Sequence, residues 1–228
     1  MKKIAIILLI FATLSSCKND NKEYNKTYDS WKTEMSQIKI GHTEALSILD
    51  NFDQIIYNHK KRLKEFTAFI NTQASKEIEN SSKLEEDIVS EANINIKKHE
   101  HFMVFLNNLS ALQGIFENKM FELYSISNLT PFPQFNSLNQ ATEFWLNEKN
   151  IINDAHNKAL SIIKELKNHI YNHQKEIKEF TEKIEKYKIE KKAASKLEDN
   201  YNLNKIKHDQ FLLFLNNLKT VQQQFEEK

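Results

Sequence analysis

The sequence predicts an all-α protein: an elongated antiparallel four-helix bundle made of two duplicated αα-hairpins. Three observations predict this fold class. The 228-residue chain contains only two glycines and two prolines, so it has few turns and long helices. Apolar residues recur in alternating steps of four and three, which is the spacing of a helix with one buried face. The same pattern then occurs a second time along the chain.

The first element is an N-terminal export signal. Lys2 and Lys3 precede a short apolar run from Ile4 to Leu14. This run is too short to cross a bilayer, which takes about 20 apolar residues. A positive start followed by a short apolar run is typical of a signal peptide, and we assign it to residues 1–16.

The signal ends in Leu14-Ser15-Ser16-Cys17, which resembles the lipobox of bacterial lipoproteins. The resemblance implies cleavage before Cys17 and a covalent lipid, such as palmitate, on the new N-terminal residue. Cys17 is the only cysteine, so it cannot form an internal disulfide. The alternatives are an ordinary secretory signal with a chance cysteine and an uncleaved anchor. In general character the chain also resembles the small helical lipoproteins of Bacteroidetes.

Residues 17–29 are predicted to form a lipidated polar tether between the membrane and the folded domain. The stretch KNDNKEYNKTYD after Cys17 has the polar composition of a flexible linker. Lys18 follows the cysteine, where an Asp would indicate the inner membrane, and this favours the outer membrane. We expect a cell-envelope protein that is held on the membrane by its lipid, with its periplasmic or outward orientation left open.

The charge of the chain gives no reason to expect a nucleic-acid partner. Without residues 1–16, 30 Lys and Arg face 31 Asp and Glu, whereas nucleic-acid binding calls for a clustered basic surface. The sequence also has no Gly-rich phosphate loop, no nucleophile elbow and no His-Glu-x-x-His, which are common signatures of enzymes. We therefore predict a protein that is not an enzyme.

A duplication organises the rest of the chain. Residues 30–126 and 139–228 are two copies of one helical hairpin, joined by a Pro-containing crossover at residues 127–138. Ile56-Tyr57-Asn58-His59 matches Ile170-Tyr171-Asn172-His173 at an offset of 114, and the only tryptophans, Trp31 and Trp145, share that offset. Ser82 with Glu85, Ser195 with Glu198 and Ser137 with Gln140 have the spacing of capping boxes that start helices.

Each copy has a seam of core residues in heptad spacing, typical of coiled coils. The first long helix carries it at Trp31, Met35, Ile38, His42, Ala45, Leu49, Phe52, Ile56, His59, Leu63, Phe66 and Ile70. The second copy repeats it from Trp145 to Ile184, and the returning helices continue it from Ile88 to Phe116 and from Leu197 to Phe225. Flanking positions, among them Ile48, Phe69 and Phe105, widen the apolar face to that of a bundle helix.

The seam contains polar residues that recur in both copies. Three histidine pairs match between the copies, His42 with His156, His59 with His173 and His99 with His208, as do Asn95 with Asn204 and Gln113 with Gln222. Folding each hairpin about its midpoint brings His59 opposite His99, and His173 opposite His208. We therefore expect these four histidines to share one buried layer.

Two roles are open for these residues. The first is structural: buried polar layers, including His42, His156, Asn95, Asn204, Gln113 and Gln222, fix helix register. The second is a metal site for Zn, Cu, Ni or Fe at His59, His99, His173 and His208, because neutral imidazole is a good ligand for these metals. The inward-facing Glu-x-x-His pairs of di-iron bundles are absent from the sequence.

Two functions follow from these patterns. The first is a membrane-anchored envelope lipoprotein that acts as a non-enzymatic helical scaffold or binding module, with no cofactor except the lipid on Cys17. The alternative is a metal-binding or metal-sensing bundle that uses the histidines. Tyr57-Asn58 and Asn107-Asn108 also match between the copies. We expect them on outer faces, as partner-binding patches or as relics of the duplication.

Overall fold

The computed structural model describes the backbone of residues 2–75, 82–117, 122–125, 131–190 and 194–226. Side chains are described for residues 24–73, 83–117, 122–125, 131–187 and 197–225. Within these ranges the secondary structure is four helices: α1 (Lys2–Ser75), α2 (Ser82–Phe116), α3 (Leu138–Glu190) and α4 (Ala194–Glu226). The predicted all-α four-helix bundle is therefore confirmed.

The chain divides into two compact units whose boundaries differ from those of the sequence repeat. Unit 1 comprises Met1–Ala45 and His169–Leu213, and unit 2 comprises Leu46–Asn168 and Phe214–Lys228. The helices α1, α3 and α4 each contribute to both units. Each unit therefore contains residues from both sequence copies.

Unit 1 has an aromatic core where α1, α3 and α4 pack. The Trp31 ring meets the Phe180 ring edge-on with centroids 4.5 Å apart, and the Trp31 indole N–H donates to Thr181 Oγ1 at 3.1 Å. Tyr201 of α4 donates its hydroxyl to Glu34 of α1 at 2.7 Å. The remaining buried members of this core are Ile38, Ile177, Ile184 and Leu197.

The predicted flexible tether is wrong, because α1 runs through all of residues 17–29. At the C-terminal end of this segment, Tyr24 and Tyr28 pack against the unit 1 core. The Tyr24 hydroxyl donates to the Ile184 carbonyl at 3.0 Å. The reason is a spacing that composition conceals: Tyr24, Tyr28 and Trp31 continue the four-and-three seam toward the N-terminus, so α1 gains core contacts before Trp31.

Unit 2 has its own core, and the crossover is part of it. The Phe66 and Trp145 rings meet edge-on at 5.5 Å. The Asn93 side chain accepts a hydrogen bond from the Phe135 N–H at 2.8 Å and donates one to the Phe135 carbonyl at 2.9 Å. Glu100 accepts a hydrogen bond from the Phe132 N–H at 2.8 Å. These contacts fix residues 131–137 against α2.

The heptad seam is confirmed as the buried face of the helices. Ten of the twelve seam residues of the first long helix are buried, and Met35 and His59 are half-buried. Their counterparts from Trp145 to Ile184 are also buried, except the exposed Lys149. The prediction that Phe69 lies on the buried apolar side is wrong, because 40% of its surface is exposed.

One predicted capping box can be compared with the structure. The Gln140 N–H donates to Ser137 Oγ at 3.4 Å, and Gln140 Oε1 accepts from the Asn136 N–H at 3.1 Å. The side chain therefore reaches back one residue further than in the ideal box. Glu85 accepts from the Leu138 N–H at 3.3 Å, while the Ser82 and Ser195 side chains lie outside the described residues.

The export signal and Cys17 lie outside the described side chains, which begin at Tyr24. Within the described part of the chain, no helix has a stretch long and apolar enough to cross a membrane.

Candidate functional site: two buried histidine clusters

Unit 2 holds a cluster of three histidines from three helices. His59 of α1, His99 of α2 and His156 of α3 surround the ring of Phe102. His59 Nδ1 and His156 Nε2 are 2.7 Å apart, and the His59 and His99 rings stack with centroids 5.7 Å apart. Phe102 stacks on His59 at 4.5 Å and on His156 at 4.6 Å. From the crossover, Phe132 lies against His99 at 5.5 Å.

The hydrogen bonds of this cluster define which ring nitrogens carry hydrogen. His156 Nδ1 is 2.6 Å from the Ile152 carbonyl, and a carbonyl only accepts, so this nitrogen donates. In neutral His156 the other nitrogen, Nε2, must then accept a hydrogen bond from His59 Nδ1. His59 is left with a lone pair on Nε2.

Unit 1 holds the equivalent cluster, built from the matching residues of the other copy. His42 Nε2 of α1 and His173 Nδ1 of α3 are 2.8 Å apart. The His173 ring stacks with the His208 ring of α4 at 6.2 Å. Phe211, which matches Phe102, lies 4.6 Å from His42 and 4.9 Å from His173.

The predicted grouping of four histidines in one layer is therefore wrong. His59 and His99 do meet, as do His173 and His208, but the two pairs belong to different units. Each pair is completed by a histidine from the other copy, His156 or His42, which we had assigned to separate layers. Midpoint folding matched residues within a hairpin correctly. It missed the antiparallel pairing of α1 with α3, in which His42 meets His173 and His59 meets His156. The residue numbers of both pairs add up to the same value, as they do for two helices that run in opposite directions.

Burial favours the neutral form of all six histidines in the folded protein. It lowers the pKa of His59 and of His173 to about 3, and neighbouring histidines in the same cluster lower it further. Burial likewise lowers the pKa of His42 and of His99 to about 4.

The pKa values of the remaining two histidines are also lowered, first by burial. For His156, the hydrogen bond to the Ile152 carbonyl opposes the effect. For His208, the Glu34 and Asp209 carboxylates oppose it. A neutral imidazole with a free lone pair binds a metal ion or accepts a hydrogen bond, so the clusters keep both possibilities.

Each cluster leaves two ring nitrogens without a hydrogen-bond partner among the described residues. They are His59 Nε2 and His99 Nδ1 in unit 2, and His173 Nε2 and His208 Nδ1 in unit 1. These are matching atoms of matching residues, and the four residues are those predicted as metal ligands. Among the residues that the structure describes, no group of three or more His, Cys, Asp or Glu side chains is arranged to hold a metal ion.

The predicted amide layers are only partly satisfied by hydrogen bonds, because the buried Asn95 Oδ1 has no partner among the described residues. Asn95 is buried and donates to the Glu91 carbonyl at 2.9 Å, and Asn204 donates to the Asn200 carbonyl at 2.8 Å. Gln113 of α2 donates to Glu165 of α3, and Gln222 is half-buried. Of the predicted amides, Gln113 thus makes an observed bond between helices, while Asn95 and Asn204 bond along their own.

Sequence reasoning misplaced one of the matched asparagines. Tyr57 is exposed as expected, but Asn108 is 1% exposed. Asn108 accepts a hydrogen bond from the Tyr124 N–H at 2.6 Å, and its amide donates to the Tyr124 carbonyl at 3.1 Å and to Gln224 Oε1 at 3.2 Å. Its burial could have been predicted from its position in the sequence, three residues after the buried Phe105 and one before the buried Leu109.

Comparisons of this chain with protein-family models, with curated proteins and with solved structures find no match. A functional proposal therefore depends on the residues and their geometry.

Proposed function

We propose that this chain is a lipid-anchored protein of the cell envelope that acts as a non-enzymatic helical scaffold or binding module. The anchor is the lipid on Cys17, supported by the lipobox-like Leu14-Ser15-Ser16-Cys17. The partner is another envelope protein that docks on α4.

The observation that supports docking is an apolar stripe on the outer face of α4 in unit 1. Leu203, Ile206 and Leu213 are 54%, 58% and 51% exposed. At 100° per residue they lie within about 80° of one another around the helix. Single exposed apolar residues are normal on a protein surface, but a stripe along one helix face is typical of a partner-binding site.

Crosslinking inside living cells tests the stripe. A photo-reactive amino acid at Ile206 or Leu213 should yield one discrete crosslinked species. The same probe at Lys205, an exposed neighbour, should yield much less of it. Equal or absent crosslinking at all three positions would refute docking on this face.

The anchor is tested separately by Cys17→Ser in a chain whose residues 1–16 are replaced by an ordinary cleavable secretory signal, so that no apolar run is left attached. This variant should leave the membrane fraction and appear as soluble protein in the envelope, because the lipid is the proposed attachment. A variant that stays on the membrane as firmly as the unmodified sequence would contradict the proposed anchor while leaving the docking stripe untouched.

A second candidate function, metal binding, is favoured by the matching free ring nitrogens of the two clusters. His59 with His99, and His173 with His208, would each supply two ligands to Zn, Cu, Ni or Fe. Protein zinc sites use three or four protein ligands, so water or a rearranged third histidine would complete the coordination. The stacked rings would have to turn toward a common ion.

Elemental analysis tests this candidate on protein purified without chelator. Metal binding predicts a stoichiometric ion that is lost in His99→Ala/His208→Ala, and a melting temperature that rises with added Zn or Cu. Metal-free protein whose melting temperature is unchanged by these ions would leave the clusters as structural layers.

A further inference from the structure

Unit 2 contains a pocket beside its histidine cluster, which we call the unit 2 pocket. It has a volume of about 510 Å³, and α1, α2, residues 124–125 and the C-terminal part of α4 line it. This volume falls within the range of about 300–1,000 Å³ that is usual for small-molecule sites. The size therefore fits a small molecule.

The walls of the pocket combine an apolar side with a cationic side. Phe105 and Phe225, whose ring centroids are 4.9 Å apart, form part of the apolar side together with Val221. Arg62 and Lys98 supply two positive charges, and no Asp or Glu is among the described lining residues. Such a pocket attracts a molecule with a negative head and an apolar body.

The second copy of the hairpin shows that this charge pattern is particular to unit 2. Arg62 corresponds to Glu176, and Lys98 corresponds to Lys207. In unit 1, Lys207 and Glu176 form an ion pair at 2.9 Å, which cancels their charges. In unit 2 the same two positions are both cationic and line a pocket, so a bound anion would take the role that Glu176 has in unit 1.

Hydrogen bonds join the walls of the pocket to one another. The buried Asn108 binds the backbone of Tyr124 on both sides and the side chain of Gln224, and all three residues line the pocket. One amide thus ties together three of its walls. Preorganised walls reduce the entropy that ligand binding costs.

We propose that the unit 2 pocket binds a small anionic amphiphile, with its carboxylate or phosphate head at Arg62 and Lys98 and its apolar body against Phe105 and Phe225. Guanidinium and ammonium groups are the usual partners of both head groups. This site is separate from the stripe on α4 and from Cys17, and it does not depend on either.

Calorimetric titration of the full chain carrying Cys17→Ser tests the site with decanoate and decyl phosphate as probes. We expect at least one of them to bind with one-to-one stoichiometry, and their relative affinities identify the preferred head group. Decylamine, with the same tail and the opposite charge, should bind at least tenfold more weakly. Equal binding of decylamine, or no binding of either anion at millimolar concentration, would overturn the proposal.

A matched pair of variants locates the anion. Arg62→Glu recreates the charge arrangement of unit 1 and should weaken binding roughly tenfold to a hundredfold, as expected for loss of a charged hydrogen bond. Lys64→Glu changes the net charge equally on the same helix at an exposed position outside the pocket, and should bind like the parent. Because Arg62 is itself exposed, both variants should keep the parental melting temperature. Equal loss in both, or in neither, would overturn the assignment.

Discussion

Lowering the pH from 8 to 5.5 should strongly destabilise this protein because its core histidines stay neutral when folded. An unfolded histidine has a pKa near 6.5, whereas burial lowers the pKa to about 3 in His59 and His173 and to about 4 in His42 and His99. Unfolding therefore takes up protons. Stability is full above pH 6.5 and falls as the pH drops toward the folded-state values.

The size of the effect follows from these pKa values. At pH 5.5, one unit below the unfolded pKa, each such histidine lowers the free energy of unfolding by about 1–2 kcal/mol. For the four together we expect a loss of about 3–6 kcal/mol, since solvent screens the half-buried His59. That is a large part of the roughly 5–15 kcal/mol that stabilises a typical domain.

Urea unfolding followed by circular dichroism at several pH values measures this effect. The variant His99→Phe keeps an aromatic ring beside Phe102 and Phe132. It should reduce the slope of the free energy of unfolding against pH by about one proton, or 1.4 kcal/mol per pH unit near pH 5.5. The slope of the free energy of unfolding against urea concentration should stay the same at each pH, so that the change reports stability and not compactness. A free energy of unfolding that agrees within about 1 kcal/mol at pH 8 and 5.5 would refute neutral, buried histidine clusters.

Three further predictions compare residues in matched pairs, each by urea unfolding. Trp31→Phe should destabilise by about 1 kcal/mol more than Trp145→Phe, since the Trp31 N–H donates to Thr181 and the Trp145 N–H has no acceptor among the described residues; equal losses would contradict this. Lys167→Met should cost about 1 kcal/mol of stability and Lys175→Met under about 0.5 kcal/mol. The Lys167 side chain is 19% exposed and contacts Asp50 at 2.7 Å and Asp53 at 2.5 Å. The Lys175 side chain is 75% exposed and lies 3.9 Å from Glu179. Asn108→Ala should lower the free energy of unfolding by about 2–4 kcal/mol because it leaves the Tyr124 backbone unpaired. Asn107→Ala should stay within about 0.5 kcal/mol of the parent. Similar costs for both variants would show that the Asn108 hydrogen bonds contribute little to stability.

The fold followed from the sequence because its strongest signal is periodic. A seam sustained over several heptads fixes both the helical state and the buried face, so His42, His99, His156, His173 and His208 were correctly assigned to the core. The same spacing places Tyr24 and Tyr28 on the buried face. The tether prediction is wrong because it rests on the polar composition of the segment and not on this spacing.

The candidate sites were harder to predict because they depend on which helices pair. Hairpin folding relates residues within one copy, but the ring hydrogen bonds of His59 with His156 and of His42 with His173 join different copies. The unit 2 pocket is harder still to foresee. Arg62 and Lys98 are ordinary surface residues in the sequence, and only packing places them beside Phe105.

The anchor is the central claim of the proposed function, and intact mass spectrometry of the protein extracted from membranes tests it most directly. The account predicts that the mature chain begins at Cys17 and carries the added mass of covalent lipid on that residue. A chain that begins elsewhere, or one whose Cys17 has the mass of an unmodified cysteine, would contradict it.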